Sequence, residues 1–193
     1  MQISRDEATQ ALSDISDARA RVEKLHDYSD AAPFLILWGL IWLVANSTTQ
    51  FTPALGDTAW LAGILLGTTL TIVLATLQAK RRSERDASRG AQSAQIAMRM
   101  GVSQGVVLLF FVALVTIVWP LDARQFNALI SLFWACAYMG VGVWVGMRLL
   151  WIGAITAVAI LFGFFNIEQY YSLWMGIAGG GSLIAGGLWL RRV

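Results

Sequence analysis

The stretch FNALISLFWACAYMGVGVWVGMRLLWIGAITAVAILFGFF, from Phe126 to Phe165, decides the fold of this chain. Its only charged residue is Arg148, which divides it into the two uncharged runs Phe126–Met147 and Leu149–Phe165. A helix needs about 20 apolar residues to cross the hydrocarbon core of a bilayer. Because a helix satisfies its own backbone hydrogen bonds in lipid, the two runs predict a pair of transmembrane helices joined near Arg148.

Four further apolar blocks extend this pattern to both sides. They are Phe34–Ala45, Thr58–Ala79, Met100–Trp119 and Ser172–Leu190. The first block is too short to cross a bilayer as it stands, and a re-entrant or interfacial segment is an alternative. An extension from Ala31 through Thr48 makes it a full span, with polar side chains near one end.

The composition supports a membrane protein over other classes. Of the 193 residues, 57% are apolar and 13% are charged, whereas soluble domains have roughly 45–50% and about 25%. The mean hydropathy is +0.62. These values exclude a disordered chain, and a net charge of only +2 argues against a nucleic-acid partner.

The residues that usually carry catalysis or bind metal are scarce. The chain has one cysteine, Cys136, and one histidine, His26, so a disulfide framework and a His/Cys zinc site are excluded. Nucleophilic and acid–base catalysis also depend on clusters of such residues. We therefore expect no enzyme activity, no catalytic residues, no metal and no cofactor.

The distribution of the basic residues predicts the topology. With six spans and an internal N-terminus, every one of the 14 Lys and Arg residues except Arg124 lies on the inner side. If the first block did not cross, the four bases of residues 1–32 would join Arg124 on the outer side. The positive-inside rule favours the first arrangement, which predicts six spans with both termini in the cytoplasm.

Residues 1–32 differ from the rest and are predicted to form a cytoplasmic amphipathic helix, followed by the transmembrane domain at 33–193. The segment contains seven acids and four bases. Its apolar residues follow the 3–4 spacing of a heptad stripe: Ala8, Ala11, Ile15, Ala18, Val22 and Leu25. We expect Ile15, Val22 and Leu25 to contact a partner helix or a second copy. The alternative is that the helix lies on the cytoplasmic face of its own bundle.

Residues 80–99 form a basic connection between the second and third spans. Its candidate contact residues are Lys80, Arg81, Arg82, Arg85 and Arg89. Bases near an anionic membrane surface attract acidic headgroups, so this segment is predicted to bind lipid headgroups or an acidic partner. The alternative is that these residues only determine the topology and extend to the headgroups.

Glycines recur at the G-x-x-x-G spacing in four of the predicted spans. The pairs are Gly63 and Gly67, Gly101 and Gly105, Gly142 and Gly146, and Gly176 and Gly180. Small residues four apart lie on one helix face and let neighbouring helices approach closely in lipid. We expect these glycines to pack the spans together, with the last span as a candidate for an additional contact between copies.

Uncharged polar residues inside the spans define a candidate solute path. Ser103, Gln104 and Asn127 are the candidates for lining a cavity. The alternative is that they form hydrogen bonds between helices. No charged residue lies at the centre of a predicted span, which argues against a proton-coupled pump.

These observations predict an all-α integral membrane protein, a six-helix bundle of three hairpins preceded by a cytoplasmic helix. The stretch Phe111–Leu190, which includes FVALVTIVWP (111–120) and GAITAVAILFGFF (153–165), loosely resembles small six-span proteins of the bacterial inner membrane. That resemblance implies an inner-membrane location. We expect a non-enzymatic accessory or regulatory protein that lies in the bilayer, engages a cytoplasmic partner or a second copy, and binds no nucleic acid. The alternative is a channel or facilitator for a small neutral solute.

Overall fold

The computed structural model describes the backbone of residues 5–85 and 90–192, together with most of their side chains. The described residues are 93% helical and contain no strand. The helices are α1 (Arg5–Phe51), α2 (Gly56–Arg85), α3 (Gly90–Val118), α4 (Ala123–Val145), α5 (Met147–Asn166), α6 (Tyr171–Trp174) and α7 (Gly181–Arg191). A 3₁₀ turn, Pro53–Leu55, joins α1 to α2, and a π-helical segment, Met175–Gly180, joins α6 to α7.

Five helical segments among the described residues are long and apolar enough to cross a membrane. They are Tyr28–Phe51, Pro53–Arg81, Ala123–Val143, Met147–Asn166 and Tyr171–Arg191, the last of which we call the last span. In α3 the described apolar part is the shorter stretch Gly105–Val118. The prediction of a helical, multi-pass membrane protein is therefore confirmed at this level.

The first apolar block is longer in the structure than in the sequence analysis. It belongs to Tyr28–Phe51, which has 24 residues. The polar residues after Ala45 continue the helix, because Thr48 and Thr49 donate hydrogen bonds to carbonyl oxygens one turn earlier in α1. Hydroxyl groups that bond in this way are satisfied without water, so these polar residues are compatible with the span. Its 24 residues are enough to cross a bilayer.

Helix α1 passes through Pro33 without interruption. Proline removes one backbone hydrogen bond from a helix interior. Here Ala32 and Leu35, on either side of it, are buried in a core cluster with residues of α5 and α7. Over residues 5–32, the predicted amphipathic helix is therefore continuous with the first span.

A single glycine, Gly146, connects α4 to α5. Its φ of 155° is a backbone conformation that residues with a side chain rarely adopt. The expectation that Gly146 packs within a helix together with Gly142 needs correction, because Gly146 lies between two helices. The tight connection places the two helices side by side, and Gly142 contacts the backbone at Leu150.

The last span contains an irregularity that the sequence analysis did not predict. Its first four residues are α-helical, Met175–Gly180 is π-helical, and the α-helix resumes at Gly181. π-Helical turns occur mostly as local insertions in α-helices. In this segment Gly176, Gly179 and Gly180 are buried and face α1.

The helix contacts define two ends of the bundle. At one end the Gln50 side chain donates a hydrogen bond to the Gln169 carbonyl oxygen at 3.0 Å. At the opposite end the Gln78 side chain donates to the Asp30 carbonyl oxygen at 2.9 Å. We call these the Arg124 end and the Arg148 end, after the arginine that lies at each.

Candidate partner-binding surface

The arm, which we define as residues 5–27 of α1, carries its apolar stripe on an open surface. Ile15 is 50% exposed, Val22 is 53% exposed and Leu25 is 37% exposed. The described side chains between Thr9 and His26 are all exposed. The alternative expectation, an arm that lies on its own bundle, stays a prediction, because most side chains of residues 80–99 lie outside the described residues.

The basic residues concentrate at the Arg148 end. Lys80 and Arg81 are exposed near the end of α2, and two more exposed bases stand at the end of the last span, Arg191 as its last residue and Arg192 directly after it. Gln78 lies one turn before Arg81 and binds the α1 backbone, so these α2 cations lie beside the base of the arm. Of the other predicted contact residues, Arg89 and the side chains of Arg82 and Arg85 lie outside the described residues.

Arg148 links three helices at this end, a contact that the sequence analysis missed. Its guanidinium carbon lies 5.5 Å from the centre of the Tyr28 ring in α1 and 5.2 Å from that of Trp189 in α7. Its Nη1 atom is buried and has no hydrogen-bond partner among the described residues. A cation over aromatic faces is stabilised electrostatically. We call these three residues the arginine clamp.

The clamp also depends on Gly146. A Cβ atom at this position would collide with the Tyr28 hydroxyl group, so only glycine allows the connection from α4 to α5 to pass under that ring. Tyr28 is itself buried, as are Leu149 and Leu190 in the same core cluster. The base of the arm is therefore fixed in the bundle at Tyr28.

Asn127, a candidate cavity residue, takes part in a hydrogen-bonded cluster near the Arg124 end. Its side chain donates to Asn46 Oδ1 at 3.0 Å, and the Asn46 side chain donates to the Trp42 carbonyl oxygen at 3.0 Å. Ser131 donates to the Asn127 carbonyl oxygen at 2.5 Å. Asn46 is 0% exposed and Ser131 is 1% exposed.

This arrangement favours the packing interpretation of Asn127 over the solute path. The buried amide of Asn46 and the half-buried amide of Asn127 bond to each other and join α1 to α4, and an unpaired buried amide would be costly. The side chains of the other two candidates, Ser103 and Gln104, lie outside the described residues. The channel hypothesis stays a prediction.

Arg124 is the cation of the opposite end. Its guanidinium group donates to the Phe164 carbonyl oxygen and lies 5.2 Å and 5.0 Å from the ring centres of Phe164 and Tyr171. Asp122 caps α4 with a capping box that includes Gln125. Arg124, which the sequence places in a short loop, thus joins α4, α5 and α6.

The glycines occupy different surroundings in each predicted pair. Gly63 and Gly67 lie against the Ile41 side chain of α1, whereas Gly105 has no described atom within 4 Å of a Cβ position. The surroundings of Gly101 lie outside the described residues. Gly63 and Gly67 therefore make a contact of the expected kind with another helix, whereas Gly105 makes none with a described atom.

The last span and α1 also approach each other closely. A Cβ at Gly180 would lie 2.6 Å from the Gly39 carbonyl oxygen, and a Cβ at Gly39 would lie 2.7 Å from the Gly180 carbonyl oxygen. At Gly176 the nearest atom is Asn46 Cβ, at 3.3 Å. These distances leave no room for a side chain at Gly39 or Gly180.

Among the described residues, no three His, Cys, Asp or Glu side chains are grouped to hold a metal ion. Cys136 is free and exposed. No protein-family model matches the chain, and no curated protein or solved structure matches it either. The functional argument therefore depends on the geometry of the arm and the bundle.

Proposed function

We propose that this protein is a non-enzymatic accessory or regulatory protein of the bacterial inner membrane. In this proposal its arm engages a helix from a cytoplasmic protein or from a second copy. The observation that carries the proposal is that one continuous helix, α1, presents Ile15, Val22 and Leu25 on an exposed surface and then enters the bundle. Exposed apolar stripes on a charged helix are typical of helix–helix recognition.

The proposed topology has six spans, arranged as three hairpins, with both termini in the cytoplasm. Helix α3 supports it, because its backbone continues from Gly90 to Val118, which is long enough for a span. The charges support it as well. Lys80, Arg81 and Arg148 lie at one end and Arg124 at the other, which is the asymmetry expected for a cytoplasmic and an outer face.

In this proposal the arm is coupled to the other helices through the membrane-spanning part of α1. Trp38 of α1 donates a hydrogen bond to Thr71 of α2 at 3.2 Å, and Asn46 bonds to Asn127 of α4. The last span packs against Gly39. A partner that displaces the arm therefore acts on the helix that contacts most of the bundle.

The cations at the Arg148 end have a supporting role. In the proposal, Lys80 and Arg81 bind acidic lipid headgroups, together with Arg82, Arg85 and Arg89 of the same segment. Each base near an anionic surface contributes up to about 1 kcal/mol. Headgroup binding at the base of the arm would hold the arm away from the bilayer surface, because the arm itself is acidic.

The experiment that tests the proposed function compares single aspartate substitutions in the arm. The variants Ile15→Asp and Val22→Asp place a charge on the apolar stripe, whereas the control Ala20→Asp places it on the opposite side of the same helix. Each protein is purified from native membranes in mild detergent, and the co-purifying chains, including a differently tagged second copy, are identified by mass.

We expect the stripe variants to lose a bound chain that the wild type and Ala20→Asp retain, because a charge buried against another helix is strongly unfavourable. If all four proteins retain the same set of chains, the arm is not a docking helix and the proposed function is overturned. Circular dichroism of each variant confirms that the helices have formed.

A further inference from the structure

One side of α1 is left uncovered inside the membrane-spanning region. Helix α2 packs against Ile41 on one side, and the last span packs against Gly39 on another. Leu40 and Val44 lie on the remaining side and are 48% and 60% exposed. Lipid tails can cover such a surface in a bilayer, so these two residues alone indicate no partner.

Ile15 and Val22 of the stripe lie over this same uncovered side, whereas Ala18 and Leu25 are in line with Ile36 and Leu43, which contact the last span. An α-helix has 3.6 residues per turn, so residues 18 apart lie in line along its axis. Val22 is thus in line with Leu40, and Ile15 is in line with Pro33 and Phe51. The exposed face of α1 continues from the membrane into the arm, where water replaces lipid in the proposed topology.

A helix that covers Ile15 and Val22 has a defined course. If it runs alongside α1, it reaches the membrane beside Leu40 and Val44, on the side of α1 where these two residues are exposed. The helix α1 of a second copy follows this course, because both copies are inserted in the same direction. Their two arms then lie parallel and at the same height.

We propose that this face pairs with the same face of a second copy, so that two arms form a parallel, in-register, two-stranded coiled coil. This inference rests on the proposed function and names the partner of that same surface. The heptad places Ala8, Ile15 and Val22 at a positions and Ala11, Ala18 and Leu25 at d positions. β-Branched residues at a with leucine at d favour parallel dimers.

The charges beside the stripe fit the same pairing. In a parallel dimer a g residue lies next to the e residue of the following heptad in the partner helix. Asp14 occupies a g position and Arg19 the e position that follows it. Pairing two copies therefore brings Asp14 of each chain to Arg19 of the other, which gives two opposite-charge contacts.

The stripe is short, so the proposed dimer depends on the anchoring of both chains in one membrane. Ala8 to Leu25 covers less than three heptads, about 27 Å of helix, and short helices with alanine at several core positions associate weakly in water. Anchoring both chains in one bilayer raises the effective concentration of the arms. Alanine at d also allows the two helices to approach closely.

Disulfide cross-linking in native membranes tests the pairing. The single cysteine is first removed by Cys136→Ser, and a new cysteine is introduced by Ala18→Cys at a d position or, as the matched control, by Ala20→Cys at an f position. Two differently tagged copies are co-expressed and oxidised, and the products are identified by their tags. We expect about tenfold more linked dimer from Ala18→Cys, because f positions point away from the seam.

Each outcome of the cross-linking experiment either supports or overturns the proposed dimer. Equal linking of the two variants means random collision and overturns the dimer. A product of Ala18→Cys with a different protein alone also overturns it, while the proposed docking function of the arm survives. No product from either variant overturns the dimer as well, and the aspartate variants then decide the docking function separately.

As a second measurement, Asp14→Arg in the Ala18→Cys background should reduce linking, and adding Arg19→Asp should restore it, since the g–e pair is then reversed.

Discussion

At the scale of single residues, the arginine clamp holds the base of the arm in the bundle. We expect Arg148→Lys to lower the unfolding free energy by about 1 kcal/mol, because lysine keeps the charge but lacks the planar group that stacks on aromatic rings. Arg148→Leu should lower it further. Thermal unfolding in mild detergent, followed by circular dichroism, measures both changes.

The control for the clamp is Arg192→Leu, which removes an exposed cation at the same end of the bundle. We expect it to leave the melting temperature unchanged. If Arg148→Lys also melts like the wild type, the ring contacts with Tyr28 and Trp189 contribute nothing measurable.

A second prediction at this scale concerns the amide pair of Asn46 and Asn127. Replacing each with leucine, separately and together, should give single changes whose sum exceeds the change in the double variant. Each single variant removes one partner of the hydrogen bond between the buried Asn46 and the half-buried Asn127. We expect an interaction free energy of about 0.6 kcal/mol, the average for such pairs in membranes.

The matching control is Asn166→Leu. Asn166 is exposed and donates its hydrogen bond to the Phe162 carbonyl oxygen of its own helix, so it joins no other helix. Additive effects of the Asn46 and Asn127 substitutions would show that the observed 3.0 Å contact does not couple α1 to α4.

At the scale of helices, the contact between the last span and α1 predicts different effects on stability for alanine substitutions at two neighbouring glycines. Gly180→Ala should destabilise the bundle strongly, because its Cβ would meet the Gly39 carbonyl oxygen at 2.6 Å. Gly181→Ala should be neutral or stabilising, since no described atom lies within 4 Å of that position and alanine favours helix by about 1 kcal/mol.

Melting temperatures and the yield of folded protein from membranes measure this difference. Should the two alanine variants behave alike, close backbone packing at Gly180 is not what holds the last span against α1. The π-helical segment that ends at Gly180 would then have no role in the helix contact.

The helices themselves could be predicted from the sequence, whereas their contacts could not. Thr58–Ala79 lies within α2, and Leu149–Phe165 lies within α5, because the length of an uncharged apolar run is a local property. The pairing of Asn46 with Asn127 joins residues 81 positions apart. Nothing local to either residue specifies that pairing, and the same is true of the Arg148 contacts.

Some missed features had a visible signal in the sequence. Tyr28, Arg148 and Trp189 all fall at the predicted cytoplasmic ends of their segments, so their shared depth was predictable although their contact was not. Gly146 stands directly before Met147 and Arg148, where a tight connection was a reasonable expectation. The π-helical segment had no such signal, because its glycines are equally compatible with a regular helix.

At the scale of the whole molecule, the proposed six-span topology predicts which side of the membrane each connection occupies. Single cysteines are introduced into the Cys136→Ser background by Ser88→Cys, between α2 and α3, and by Ala123→Cys, at the start of α4. A membrane-impermeant maleimide is applied to spheroplasts and to inverted vesicles. We expect labelling of Ala123→Cys from outside only and of Ser88→Cys from inside only, because bases are retained in the cytoplasm.

The same measurement decides whether α3 crosses the bilayer. Two positions that flank a single crossing helix must lie on opposite sides, so labelling of both from one side would reduce the bundle to five spans. The orientation of the arm is tested independently by Arg192→Cys, which lies at the Arg148 end together with the base of the arm. If Arg192→Cys is labelled from outside, the arm faces away from the cytoplasm, and neither a cytoplasmic partner nor a cytoplasmic coiled coil is possible.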